Sequence, residues 1–219
     1  QENEENKNPA RAQDIRYIAS LKRPKRDVMR EISQGLDTQL FATQPLICLI
    51  DGARSLERAV KEVFHSISHK VIIVDIIHVL EYIWLVAHLK YAEGSEDVKQ
   101  YVFQTLVSIL QGNVLTYIKE LQQELNTGTW KPSQRDTFSK VITYLKNHHA
   151  FMKYDEYLAN GYPIATGVVE SACGHIVKDR MELSGARWSI DGAEATAKDS
   201  RALAVQVQSN EAYEALAQI

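Results

Sequence analysis

A chain of 219 residues holds one large domain or two small ones. Its 45% hydrophobic content and five prolines exclude a disordered or collagen-like polymer. The formal net charge of −3 excludes a global attraction to nucleic acid, so such a partner has to be held by local basic clusters or by metal ions.

Residues 1–13 are polar and charged and read as a frayed tail. The first residue is Gln1 rather than Met, and we expect further sequence upstream. Residues 14–21 (DIRYIASL) read as a short strand, with Ile15, Tyr17 and Ala19 alternating against Arg16. After the basic turn 22–26 (KRPKR), Pro24 opens a helix to about residue 40, with Val28, Met29, Ile32 and Leu36 on one side. Residues 45–50 (PLICLI) are a continuous apolar run, which predicts a strand buried on both faces and central in a sheet. Asp51 then stands at the carboxyl end of that strand, where open α/β sheets place ligands. The competing reading is a plain Asp51-Gly52 turn. A helix over 55–65 leads to a second apolar strand, 70–74, closed by Asp75 as the cap of the next helix.

The run 71–89 is long enough to suggest a membrane span, but Asp75, His78, Glu81 and His88 inside it argue against one. Apolar residues nearly all round this helix predict burial between layers. His78 and Glu81, three apart, are either a metal pair or a buried hydrogen-bonded pair. From 96 to 152 the pattern is helical, with three apolar stripes: Val98, Val102, Thr105 and Ile109; Val114, Ile118, Leu121 and Leu125; Phe138, Val141, Leu145 and Met152. Ser133 is the expected N-cap of the third helix. Cys48 and Cys173 have no spacing suited to a disulfide framework or a zinc site, which points to a reducing, cytoplasmic setting.

Residues 161–189 read GYPIATGVVESACGHIVKDRMELSGARWS. Turn residues lead into a helix over 168–183 that Gly185 stops. At about 100° per residue, Gly174, Val177 and Met181 fall under Glu170, and Lys178 and Arg180 flank it at about 80° to either side. One carboxylate on a narrow apolar face with a cation on each shoulder suits a metal-binding acid beside a phosphate backbone. The competing reading is a solvated Glu on an amphipathic helix. Residues 189 to about 206 and 209–218 read as two terminal helices.

The ordered markers are Asp51-Gly52, Asp75-x-x-His78, a helical block and Glu170 on a late helix. They resemble the DDE transposases, whose catalytic domain is ribonuclease-H-like, and Asp75-x-x-His78 resembles the C/DxxH signature of Mutator-type enzymes. The stretches VDIIHVLEYIW, MKYDEYLANGYPIATGVVE and VKDRMELSGARWS are similar to bacterial insertion-sequence transposases of the ISKra type. The likeness covers residue 14 to the C-terminus.

The resemblance implies an α/β, mostly helical chain: a partial ribonuclease-H-like core over 14–76 lacking its first strands, an all-α insertion over 77–160, and the catalytic Glu helix with C-terminal helices over 161–219. It implies a three-carboxylate site for two Mg2+ or Mn2+ ions, with Asp51 as the second acid and Glu170 as the third. The first acid would lie on a strand upstream of Gln1. Lys178, Arg180 and Arg187 would hold phosphate, Trp188 would stack on a base or pack, and Asp75 and His78 would fix the insertion against the sheet. The implied function is strand cleavage and transfer on element ends and target DNA, by a homo-oligomer in the bacterial cytoplasm, associated with the nucleoid and without a membrane. Gly174, where a basic residue is usual, and polar Thr196, Lys198 and Ser200 on an expected apolar face depart from the family. They keep open a non-catalytic, DNA-binding remnant, and a small self-sufficient metal-dependent nuclease is a third reading.

Overall fold

The computed structural model describes Ile18, Ser20, residues 22–37 and residues 39–165. Most of the strand expected over 14–21 and everything beyond Ala165 lie outside the described residues. Pro24, with φ fixed at −56°, precedes helix α1 (Lys25–Gln34), and Gly35 ends it. The helix is thus shorter than the expected run to residue 40, and a 3₁₀ turn at Leu40–Ala42 takes the remainder.

Strand β1 (Leu46–Ile50), helix α2 (Arg54–Val63) and strand β2 (Lys70–Val74) form one parallel strand–helix–strand unit, with Leu46 opposite Lys70 and Ile50 opposite Val74. The first and last ladder bonds run from Leu46 N–H to His69 O and from Asp75 N–H to Ile50 O, both 2.8 Å. By the alternation of a ladder, Leu46, Cys48 and Ile50 turn their backbone groups toward β2, and Ile47 and Leu49 turn theirs away. Helix α1 lies against α2, where Arg26 and Arg30 both reach Glu62 at 3.6 and 3.5 Å.

Helices α3 (Ile76–Lys90), α4 (Glu96–Leu110), α5 (Val114–Thr127) and α6 (Pro132–His148) follow, each packed on the next, with α6 returning to α3. That closed ring is a four-helix bundle joined by short loops. Ser95 caps α4 by accepting from Val98 N–H. The expected cap of α6 is displaced: Lys131 is the N-cap, Pro132 takes the first helical position, and the Gln134 side chain accepts from Lys131 N–H at 2.9 Å. The three predicted stripes are buried except Leu125, which is half-buried. A 3₁₀ turn (His149–Phe151) and a short helix α7 (Tyr154–Ala159) complete the described chain.

Buried residues of β1, β2 and the bundle, from Ile50 to Ile164, make one continuous core. The helical block therefore shares its interior with the sheet. Two expectations change here. Strand β1 is buried only at Ile50, its other residues being half-buried, because no strand among the described residues covers its outer edge. Helix α3 buries a stripe, Ile76, Val79, Ile83, Val86 and Ala87, rather than its whole circumference, and Leu85 is exposed. No helix among the described residues is long and apolar enough to cross a membrane.

The two edges of the sheet differ. On β2 the outward carbonyls are taken by tyrosine hydroxyls of α7: Tyr154 donates to Val74 O at 2.7 Å, and Tyr157 to Ile72 O at 3.5 Å. Burial first, then neighbouring phenols and carboxylates, push the Tyr154 phenol well up, so it stays a donor. Side chains from α7 thus close that edge, while among the described residues no strand lies on the outer edge of β1.

Candidate functional site

Asp51 follows β1 directly and is exposed. Its Oδ1 accepts from Ala53 N–H at 2.7 Å, making a side-chain-closed turn into α2. That hydrogen bond occupies Oδ1 and turns the carboxylate at the end of the strand. Both sequence readings of Asp51-Gly52 hold at once: it is a turn, and it sets a carboxylate at the sheet's carboxyl end.

The turn is gripped from the bundle. Tyr144 of α6 donates to Asp51 O at 3.4 Å, and its ring stacks on Tyr82 of α3 with centroids 3.8 Å apart. Burial, then Tyr82, Asp51, Glu81 and Asp75, raise the Tyr144 phenol, which keeps its proton. Gly52 is buried at φ +81°, and a Cβ there would stand 2.6 Å from the Tyr144 hydroxyl. Gly52→Ala therefore meets both a left-handed backbone and a collision, and is expected to destabilise the fold by about 1–3 kcal/mol. Adding Tyr144→Ala should recover the collision but not the backbone term, as read from paired denaturant melts. Full recovery would show that φ contributes nothing.

Asp75 is 1% exposed, caps α3 by accepting from Ile77 N–H at 2.8 Å, and sits one residue from a second tie, Ile76 N–H to Ile164 O at 2.9 Å. The cap is the one expected for Asp75 from the sequence. His78 and Glu81 do meet, with Nδ1 and Oε2 3.4 Å apart, but at the surface. The expected buried pair is corrected: one turn of α3 turns them outward, away from the stripe begun by Ile76 and Val79. On α6, His148 is buried, with Nδ1 donating to Tyr144 O at 2.8 Å. His149 diverges from it to the surface.

Glu170, Lys178, Arg180, Arg187 and Trp188 lie outside the described residues, as does Cys173 with the helix expected over 168–183. Among the described residues, no three His, Cys, Asp or Glu side chains gather closely enough to hold a metal ion. Asp51 is a hard oxygen donor of the kind Mg2+ takes, and a full ligand set would need carboxylates from beyond the described residues. Cys48, in β1, has its thiol pushed up to about 12 by burial, against a smaller opposing pull from Lys70, which keeps it protonated at neutral pH.

Sequence reading missed the tyrosines. Tyr144, Tyr154 and Tyr157 act on backbone 93, 80 and 85 positions away, and no local pattern reports such a partner. Only the spacing of Tyr154 and Tyr157 around Asp155 and Glu156 signals α7 itself. Comparison with family models, with curated proteins and with solved structures finds no match for the chain.

Proposed function

We propose that the chain is catalytic sequence of a DDE transposase of the ISKra type, with a ribonuclease-H-like core, that cuts and joins DNA at the ends of a bacterial insertion sequence. The observation that carries the reading is Asp51: an exposed carboxylate immediately after a parallel strand, in a strand–helix–strand unit whose β2 edge is closed by tyrosines and whose β1 edge meets no further strand among the described residues. Among the described residues the side left for a further strand is beside β1, and a parallel strand there would bring its own carboxyl end next to Asp51. The tie from Ile76 to Ile164 supports Glu170 as a partner, since the six positions from Ile164 to Glu170 span at most about 22 Å.

In this reading Asp51 and Glu170 supply two carboxylates, and a strand paired with β1 supplies the third. Bound Mg2+ or Mn2+ would activate the attacking oxygen and stabilise the leaving one. Lys178, Arg180 and Arg187 hold phosphates without reading sequence, and Trp188 stacks on an exposed base. Asp75 holds α3, and Tyr144 with Tyr82 holds the Asp51 turn. The partners are element ends and target DNA in the bacterial cytoplasm, met by a homo-oligomer.

Incubation of the complete protein with its element ends and Mg2+ or Mn2+ should yield strand cleavage that chelation stops. Binding without cleavage in either metal would overturn the enzymatic reading in favour of a non-catalytic remnant. Cleavage that survives chelation would overturn the metal site.

A further inference from the structure

We infer that the outer flank of α2 is a second contact for a nucleic-acid backbone, leading away from Asp51. This deepens the reading above and rests on it for the identity of the partner. Arg54, Arg58 and Lys61 stand at i, i+4 and i+7 of α2, on one face, and all are exposed. They cover about 10 Å along the helix, beginning three residues after Asp51.

Two acids of α2, Glu62 and Glu57, border this face on either side. Glu62 faces α1, where Arg26 and Arg30 occupy it at 3.6 and 3.5 Å. On the other flank, Lys61 bonds Glu57 and lies 5.0 Å over the ring of Phe151. Arg54 and Arg58 meet no carboxylate among the described residues. Two guanidinium groups one turn apart, neither neutralised, carry a local excess of positive charge on a chain whose net charge is −3. Guanidinium presents the fork that grips phosphate through two parallel hydrogen bonds. A backbone lying on this flank would put one phosphate beside Asp51 and the next ones along α2. None of the large exposed apolar side chains, Leu40, Leu85, Phe103 and Leu115, belongs to α2. Helix α2 itself thus offers no large apolar wedge of the kind a lipid surface takes, which favours nucleic acid as the partner.

The test titrates the complete protein with mixed-sequence duplex DNA, and separately with a single strand, in EDTA across a salt series. The double variant Arg54→Ala with Arg58→Ala should weaken binding and flatten the slope of log affinity against log salt by about 1.8 for duplex or about 1.4 for a single strand. Arg54→Lys with Arg58→Lys should keep most of the slope, because the charges remain. A circular dichroism spectrum and melting midpoint unchanged from the parent tie the loss to contact rather than to folding. An unchanged slope in the alanine variant would overturn the proposal. So would a loss of binding to anionic phospholipid vesicles with DNA binding intact, which would assign the flank to a membrane. Because metal and cleavage are absent from the assay, failure of the enzymatic reading leaves this result standing, and the converse holds.

Discussion

Asp51→Asn, or Glu170→Gln, in the complete protein is expected to lower Mg2+-dependent strand cleavage by about 100-fold or more while leaving DNA binding intact. Loss of an outer-shell partner of a metal ligand already costs about 10- to 100-fold, and loss of the ligand itself should exceed that. The amide replacement is chosen because of the turn. Asp51 Oδ1 accepts from Ala53 N–H at 2.7 Å, and an Asn oxygen can accept the same bond. The backbone entering α2 is then preserved, and only the charge is removed. Asp51→Ala would also open the turn and confuse the two effects. Asp75→Asn is the internal control: its oxygen can still cap Ile77 N–H, so α3 should hold and cleavage should survive. Undiminished cleavage by Asp51→Asn would remove Asp51 from the site. Equal loss in Asp75→Asn would move the chemistry from the exposed carboxylate to the buried one.

What could be read from residues alone was whatever local periodicity encodes. Lys70–Val74 carries an uninterrupted β-branched run, VIIV, after a polar turn, and its bounds were legible to the residue. Val98, Val102, Thr105 and Ile109 repeat at helical spacing, and all four are buried. The carboxylate at the end of β1 was also legible, because Asp51-Gly52 punctuates an apolar run. Long-range closure was hidden. PLICLI is as apolar as a central strand, yet the described residues give it one neighbour, so its burial depends on a partner that its own composition does not name. Helix α3 is apolar enough to be buried all round, but with α4 and α6 against it only one stripe is covered. His78 and Glu81 illustrate the same limit: spacing put them on one face, and only the packing decided that the face was the outer one. The sealing of β2 by Tyr154 and Tyr157 is the extreme case, since a phenol 80 positions distant replaces a strand.

That asymmetry of edges gives the second large effect, carried by proline substitutions one residue apart in β1. Cys48 turns its N–H toward β2, and Leu49 turns its N–H to the open side. Cys48→Pro deletes a ladder donor, orphans a carbonyl of β2 and drives a ring between the strands. Each orphaned buried group costs about 1–3 kcal/mol, against a total stability of about 5–15 kcal/mol for a protein of this kind. Leu49→Pro deletes a donor that the described chain does not use, and proline is tolerated on a strand edge. The residue before it, Cys48, is already extended, as proline requires. Leu49→Pro should therefore lose little more than the packing of its half-buried side chain, about 1–2 kcal/mol, while Cys48→Pro melts early or aggregates. An open, half-buried apolar edge also invites pairing between copies, and Leu49→Pro should reduce concentration-dependent association of the chain. In the proposed reading the same variant should abolish cleavage by the complete protein, because a strand carrying the remaining carboxylate would have to pair at Ile47 and Leu49. Normal cleavage by Leu49→Pro would show that no strand pairs with β1 during catalysis, and the three-carboxylate site would fall with it. Destabilisation as deep as that of Cys48→Pro would instead show the outer edge already paired within the chain itself.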